Sequence, residues 1–387
     1  MLRITTVQSR PTVLASAVLA LALLGDSLLY AALPVSATTF GVSVGWVGVL
    51  LSANRITRLF VYPLLPRAAG TAGLRGLTIG GATLGAMSTL WFAIASGPLP
   101  LLAARIVWGA VFGALSLAAL AYAVETAEGS GARVGLSLSL RELGPIASLT
   151  AGMLLVTRTG LRPALLVLGA ISLLAIPLAL ALPPSDRRSG AHAERCAPAG
   201  VTRHELLSGT VGFVADGLFP ATIAVLLIEP LRASTAVLAA GTILAFKRAG
   251  VFVLGPIHGR LADRAGAAAT SRLGLAIGAT GTILISKGYV VGGAIVLICG
   301  TAATSVSIPL LASDDNPKKR LAALARLGLA RDVGAAAGPL VALPLLEAIG
   351  GSLLYAAAAA ALFAAVLGVG ERSSELSPDH SRSEENA

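Results

Sequence analysis

Twelve apolar runs separated by short polar interruptions cover most of the chain, at about 12–34, 44–65, 74–96, 99–124, 134–157, 161–183, 206–228, 234–257, 270–286, 289–311, 327–348 and 350–369. Most reach the roughly 20 residues that a helix needs to cross a bilayer core. None alternates with period two, and all exceed the roughly 10 residues of a barrel strand, so helices are predicted throughout. A single long polar connector, Pro183–Glu205, carries Asp186, Arg187, Arg188, Glu194, Arg195 and Arg203 and divides six runs from six. The pattern predicts an all-α polytopic membrane protein with twelve transmembrane helices in two pseudo-symmetric six-helix bundles, 12–183 and 206–369. A short segment, 1–11, precedes the first bundle, and a loop at 184–205 joins the two. The Ser- and acid-rich tail, 370–387, is predicted to be disordered.

Composition agrees. Hydrophobic residues make up 55% of the chain and charged residues 12%, with a mean hydropathy of +0.83. A soluble globular domain needs a charged surface that this sequence lacks. Cys196 falls in the polar connector and Cys299 in an apolar run, so no disulfide framework is expected. The histidines His192, His204, His258 and His380 lack zinc-site spacing, and neither metal nor cofactor is expected. The net charge of +10 is not a nucleic-acid footprint, because the basic residues form no stripe with interleaved aromatics. It follows membrane orientation instead. With the amino terminus in the cytoplasm, 18 cations fall on inside segments, and only Arg158, Arg162, Arg232 and Lys287 fall outside. That bias holds in both halves. It places both termini and the connector in the cytoplasm of a multi-pass protein of the cell (inner) membrane. Val35-Ser36-Ala37 resembles a signal-cleavage site, but the preceding run is longer than a signal core and is expected to be retained.

The two halves repeat one another. Asp26, in Gly25-Asp26-Ser27-Leu28-Leu29-Tyr30, recurs 190 residues later as Asp216 in Ala215-Asp216-Gly217-Leu218-Phe219-Pro220. Asn54-Arg55 matches Lys247-Arg248, 193 residues on, and Arg141-Glu142-Leu143-Gly144 matches Arg331-Asp332-Val333-Gly334 at 190. Past Arg55 and Arg248, the segments 66–73 and 259–266 keep Arg, Ala, Ala and Gly in register and are read as connecting loops. Parallel six-helix repeats with a polar pathway between them are a transporter architecture.

On these features the chain resembles the major facilitator superfamily of secondary transporters. Gly259-Arg260-Leu261-Ala262-Asp263-Arg264-Ala265-Gly266 is similar to the family's loop motif G-x-L-x-D-R-x-G. Arg105 to Gly109 is similar to its R-x-x-x-G motif, and Gly334 to Pro339 to its G-x-x-x-G-P motif, of which Gly144-Pro145 is a fragment. Pro34 ends the first run where the family often has a proline. The resemblance implies secondary active transport of a small solute by alternating access. Departures are Gly70 where the family usually has the loop aspartate, Trp108 where it has a glutamine, and no leading glycine before Gly144-Pro145, which weakens an antiporter reading.

Eleven charges lie inside the predicted crossings: Arg55, Arg58, Arg105, Arg141, Lys247, Arg248, Arg331, Asp26, Glu142, Asp216 and Asp332. At about 2.5–3.5 kcal/mol each, exposing all of them to lipid would cost on the order of 30 kcal/mol, so they must pair, snorkel or face a wet interior. Arg55, with Arg58 and Tyr62 on its face, and its repeat mate Arg248 are the favoured cavity-facing substrate residues. Asn54, Lys247, Arg105 and Tyr30 complete the candidate substrate set, although Arg105 suits a structural pairing with a carbonyl or acid equally well. Arg141, Glu142, Arg331 and Asp332, with Asp263, Arg264 and Gly259, are the candidate gating residues. Asp26, and secondarily Asp216, are candidate proton-coupling sites. Burial disfavours a charged carboxylate and a nearby arginine favours it, so gate movement can switch its protonation. A permanent Asp–Arg bridge is the competing role. Gly109 with Gly113 and Gly334 with Gly338 suit close helix packing.

Pairing all four acids leaves three of the seven cations, and a net-positive interior favours anionic cargo. Aromatics are only 4% of the chain, which argues against a large stacking cavity for flat drugs. An intramembrane enzyme would need a nucleophile, metal cluster or acid pair at an aqueous interface, and none stands out. The remaining alternative is a transporter-like scaffold or sensor without flux, which the degenerate loop at Gly70 keeps open. Expected partners are a small, preferentially anionic solute, protons or another coupling ion, and the lipid bilayer. Nucleic acid is not expected, and the protein is expected to be a monomer.

The charge bias predicts that a cysteine placed at Gly190 reacts with an impermeant thiol reagent only from the cytoplasmic side. Strong labelling from outside would overturn the topology and the repeat together.

Overall fold

The computed structural model describes residues 6–34, 36–184, 200–228, 233–313 and 316–369. Most of the connector, the whole tail and Arg232 lie outside them. The described residues are helical with no strand. The helices are α1 (Thr6–Ala32), α2 (Val44–Val61), α3 (Leu65–Ile94), α4 (Pro98–Ala123), α5 (Ser130–Ala147), α6 (Met153–Thr159), α7 (Leu161–Ser172) and α8 (Ala175–Leu180). After the connector come α9 (Arg203–Val211), α10 (Phe219–Ile228), α11 (Ala233–Ala265), α12 (Ala267–Ser286), α13 (Val290–Leu311) and α14 (Pro317–Gly368). A π-helical turn at Ser148–Gly152 joins α5 to α6, and another at Gly212–Leu218 joins α9 to α10.

Among the described residues, nine helical stretches are long and apolar enough to cross a membrane. Two differences separate this from the twelve runs. Neither α2, a short helix of 18 residues, nor the α5–α6 stretch is among the nine; the latter carries Arg133, Arg141 and Glu142, which dilute its apolar character. The stretch Lys319–Gly368 counts once. At 1.5 Å per residue a straight helix of its 50 residues would span about 75 Å, more than twice a bilayer core. It is in fact two helices meeting at Gly350, where φ is +77°.

The segments 66–73 and 259–266 are mostly not loops. Ala, Leu and Arg are strong helix formers, and the chain stays helical to Ala265 in α11 and from Leu65 to Ala72 in α3. The turn in each is a single glycine, Gly73 (φ +75°) or Gly266 (φ +88°). Further breaks fall at Gly97 (φ +85°) and Gly288 (φ +88°), and at Gly160 (φ +87°) and Gly350 (φ +77°). These are conformations that a side chain resists. The three pairs are spaced by 193, 191 and 190 residues, within the 190–193 range of the charged motifs. The repeat is therefore written in backbone turns as well as in charges.

Before the connector, α1 packs on α4, α5, α7 and α8, and α3 on α4 and α7. After it, α12 lies on α13 and α14, and α14 on α9 and the second π turn. Small residues set the closest approaches. A Cβ on Gly334 would enter the Gly209 carbonyl, one on Gly217 would stand 2.7 Å from Gly338 Cα, and one on Gly109 would stand 2.5 Å from the Asn54 carbonyl. Gly109, Gly334 and Gly338 thus act in packing, as their spacing suggests.

The two parts of the chain meet most extensively along α5 and α11. A Cβ on Gly255 would stand 2.7 Å from the Gly135 carbonyl, and a Cβ on Gly259 would enter that of Gly131. These glycines let the two backbones touch. Ser139 donates to the Phe252 carbonyl along the same seam. A second contact joins α2 to α14, where the Tyr62 ring lies 2.7 Å from where a Gly328 Cβ would stand.

Candidate site: a belt of shared carboxylates

The intramembrane charges divide into a closed pair and an extended belt. The pair is Asp26 with Arg105. Arg105 Nη1 lies 2.6 Å from Asp26 Oδ1, and the side chains are only 2% and 10% exposed. Arg105 Nε donates to the Leu50 carbonyl at 3.0 Å, and its guanidinium stands 5.6 Å from the centre of the Tyr30 ring. Tyr30 donates to the Leu51 carbonyl at 3.1 Å and to Asn54 Oδ1 at 3.2 Å. Asp26, Arg105, Tyr30 and Asn54 therefore knit α1, α2 and α4 within the first half. Beside them lies a cavity of about 10 Å³, lined by Ser88, Thr89, Phe92 and Trp108 as well as the pair.

The belt runs across α2, α5, α11, α14 and the second π turn. Glu142 is 1% exposed and accepts from Arg141 Nη2 at 2.9 Å and from Arg248 Nη1 at 3.1 Å. Asp216 accepts on Oδ1 from Lys247 Nζ at 2.7 Å and on Oδ2 from Arg331 Nε at 2.8 Å. Lys247 also donates to the Ala215 carbonyl at 2.6 Å, and Arg331 Nη2 to Ser305 at 3.2 Å. Asp332 Oδ1 lies 3.2 Å from Arg58 Nη1, with side chains 13% and 9% exposed. Arg58 stacks over Phe112 at 4.4 Å, and Tyr62 lies beside Asp332. Arg55 has no carboxylate ion pair among the described residues; its Nη1 donates to the Ala335 carbonyl at 3.3 Å.

Two of these links cross between the halves: Glu142–Arg248, and Arg58–Asp332 with Arg55 on the neighbouring carbonyl. Glu142 and Asp332 are repeat mates, as are Arg248 and Arg55, so the pseudo-symmetric partner expected for Asp332 is Arg55. The chain instead pairs Asp332 with Arg58, one helical turn further along α2. Arg58 is the residue that reading the repeat alone misses. Its signal was its charge inside an apolar run, on the face of Arg55.

At the seam of α5 and α11, Asp263 accepts from the backbone N–H groups of Gly131 at 2.7 Å and Ala132 at 2.8 Å. These are free N–H groups of the first turn of α5, where a carboxylate also complements the helix dipole. Nothing equivalent arises from Gly70. The other corner is tied by Arg320, near the start of α14, which donates to the Val124 carbonyl at 3.0 Å and the Glu125 carbonyl at 2.8 Å. Gly259 sits at the glycine crossing, and Arg264 lies exposed beside Asp263. Among the described residues no cluster of His, Cys, Asp and Glu fits a metal ion.

With this geometry in view, the family model described as the Major Facilitator Superfamily matches residues 15–313. The chain belongs to that superfamily. The human organic anion transporter MFSD10 (TETRAN) has a similar structure, with a TM-score of 0.77 at 17% identity over 94% of this chain and 99% of that one. The proton:xylose symporter XylE superposes with a TM-score of 0.75 at 14% identity, over 94% and 95% of the two chains. FucP in its outward conformation gives 0.71 at 18%, over 94% and 100%. At these identities the likeness establishes the fold. No curated protein sequence matches this one.

The closed pair makes a quantitative prediction. Asp26→Asn or Arg105→Gln alone leaves one buried charge uncompensated, which should destabilise the protein by about 3–5 kcal/mol. The double variant removes both charges together and should recover at least about 2 kcal/mol of the summed loss in a denaturation cycle. Additive losses would show that the two side chains do not act as a unit.

Proposed function

We propose that this member of the superfamily is a secondary active transporter that moves a small anionic solute across the cell (inner) membrane by alternating access, with both termini in the cytoplasm. The observation that carries the reading is the belt, in which six cations lie among only three carboxylates, five of them ion-paired and Arg55 on a backbone carbonyl. Unbalanced positive charge in a low-dielectric interior attracts anions and repels cations. Of the structural relatives, MFSD10 is an organic anion transporter, which agrees with this preference.

We read the helices as twelve crossings in two bundles. The π turns each join a pair of short helices into one crossing, α7 and α8 form another, and Gly350 divides α14 in two. The left-handed glycines recurring at the repeat offsets support six crossings per half. Contacts between the halves gather at the end where α2 finishes and α5 and α14 begin, the end that the charge bias assigns to the cytoplasm. Asp263, Arg264, Gly259, Arg141, Glu142, Arg331 and Asp332 are then the inner gate, closed here, with Arg58 and Tyr62 joining them. FucP, solved in an outward conformation, is a fitting relative for this state.

Substrate contact is assigned to Arg55 and Arg248, with Lys247 behind them on Asp216. Asn54, Tyr30 and Arg105 support this set from the first half. Proton coupling is assigned to Asp26, with Asp216 second; XylE and FucP are both proton symporters. Asp26 is the better candidate because a single arginine compensates it, whereas two cations hold Asp216.

Reconstituted vesicles test the proposal. Arg55→Gln and Arg248→Gln should each weaken binding of the transported anion by about 1.5–3 kcal/mol, the range for a charged hydrogen bond. In the same vesicles, Asp26→Asn should exchange cargo but ignore an imposed pH gradient. No flux of any solute class would favour the scaffold reading. Unchanged affinity in correctly folded arginine variants would remove these two residues from the site.

A further inference from the structure

We infer that the cargo carries at least two negative charges and is received by Arg55, Arg248 and Arg331; this rests on the reading of the protein as an anion transporter and narrows it. The argument is a charge balance by group. Arg105 and Asp26 cancel one another in a closed pair off the belt. Within the belt Glu142 holds Arg141 and Arg248, Asp216 holds Lys247 and Arg331, and Asp332 holds Arg58 while Arg55 beside it rests on the Ala335 carbonyl. Each group carries one surplus positive charge. The surplus is thus spread over three places on three helices rather than concentrated at one.

Exposure singles out one cation in each group. The Arg248 side chain is 50% exposed and engages only Nη1, while Glu142 beneath it is 1% exposed. Arg331 is 31% exposed and engages Nε and Nη2, leaving Nη1. Arg55 is half-buried and engages only Nη1, on a carbonyl of α14 one turn beyond Arg331. Their counterparts are held more tightly. Arg58 is buried under Phe112, Lys247 is held between Asp216 and the Ala215 carbonyl, and Arg141 lies along its own neighbour Glu142 through Nε and Nη2. Three guanidinium groups with free donors suit carboxylate or phosphate oxygens. A monoanion would leave two surplus charges uncompensated in a partly dry site, and a dianion leaves one.

Because Arg55 and Arg248 stand on opposite halves, an anion with two separated charges would bridge them. A monoanion would neutralise one and leave the other uncompensated. The cargo's valence then becomes part of how the halves are drawn together.

The test uses purified full-length protein at pH 7.5 and constant ionic strength. Binding is measured for dicarboxylates from malonate to pimelate against their monomethyl esters, and for phosphomonoesters against the matching methyl phosphodiesters. Thermal stabilisation by sulfate is compared with that by chloride. The expected result is at least one dianion binding about tenfold or more tightly than its monoanionic partner, the step for one charged hydrogen bond, with sulfate stabilising more than chloride. Arg55→Gln should narrow that ratio. Monoanions that bind as well as their dianionic partners would overturn the valence inference and leave the anion reading standing. Binding confined to neutral or cationic solutes would overturn both. Failure of every probe, with sulfate no better than chloride, would overturn the valence inference outright.

Discussion

An ionised side chain inside a bilayer must find an opposite charge, a hydrogen-bonding shell or water, and this chain sets eleven such side chains into its helical core. The unequal numbers, seven cations and four carboxylates, shape the rest. One carboxylate is spent on a buried one-to-one bridge that braces the first half. Glu142 and Asp216 are each stretched between two cations, and Asp332 holds Arg58 with Arg55 left on a carbonyl beside it. Removing Glu142 or Asp216 would strand two positive charges at once, which gives these two residues more structural consequence than a simple ion pair has.

Sharing also ties the halves together. Glu142 reaches Arg248, and Asp332 reaches Arg58, so each half contributes a carboxylate to the other's arginine. The glycine seam of α5 and α11 brings backbones close enough for Asp263 to cap α5 from across the interface. The corresponding corner at Gly70 has no acid and uses Arg320 on two carbonyls instead. The two corners occupy equivalent places along the chain but are held by different chemistry. Such bonds are individually modest, about 0.5–2 kcal/mol for a cap.

Much of this was legible in the sequence because a bilayer leaves few options. Apolar run length fixes helices, and a charge in such a run must turn inward. The repeat of Asp26 and Asp216 pointed to two related halves. Pairing was less legible. Asp26 and Asp216 occupy equivalent places, yet one takes Arg105 from α4 and the other takes Lys247 and Arg331, since α13 carries no cation at all. Side-chain reach decided that Asp332 meets Arg58 rather than Arg55. The segments at 66–73 and 259–266 looked like loops because of their charge and glycine. Helix propensity carries them on to a single left-handed glycine.

The central claim is that the shared carboxylates hold the halves together at the end where α5 begins and α11 finishes. Spin labels at Glu128 and Arg264, both exposed beside the Asp263 cap, report that separation directly. In the resting protein the distance distribution should be dominated by one short population. Replacing Glu142 with Gln and Asp332 with Asn should move a large part of it to longer distances, since Arg248 and Arg58 lose their cross-half partners. An unchanged distribution in the folded double variant would contradict the account.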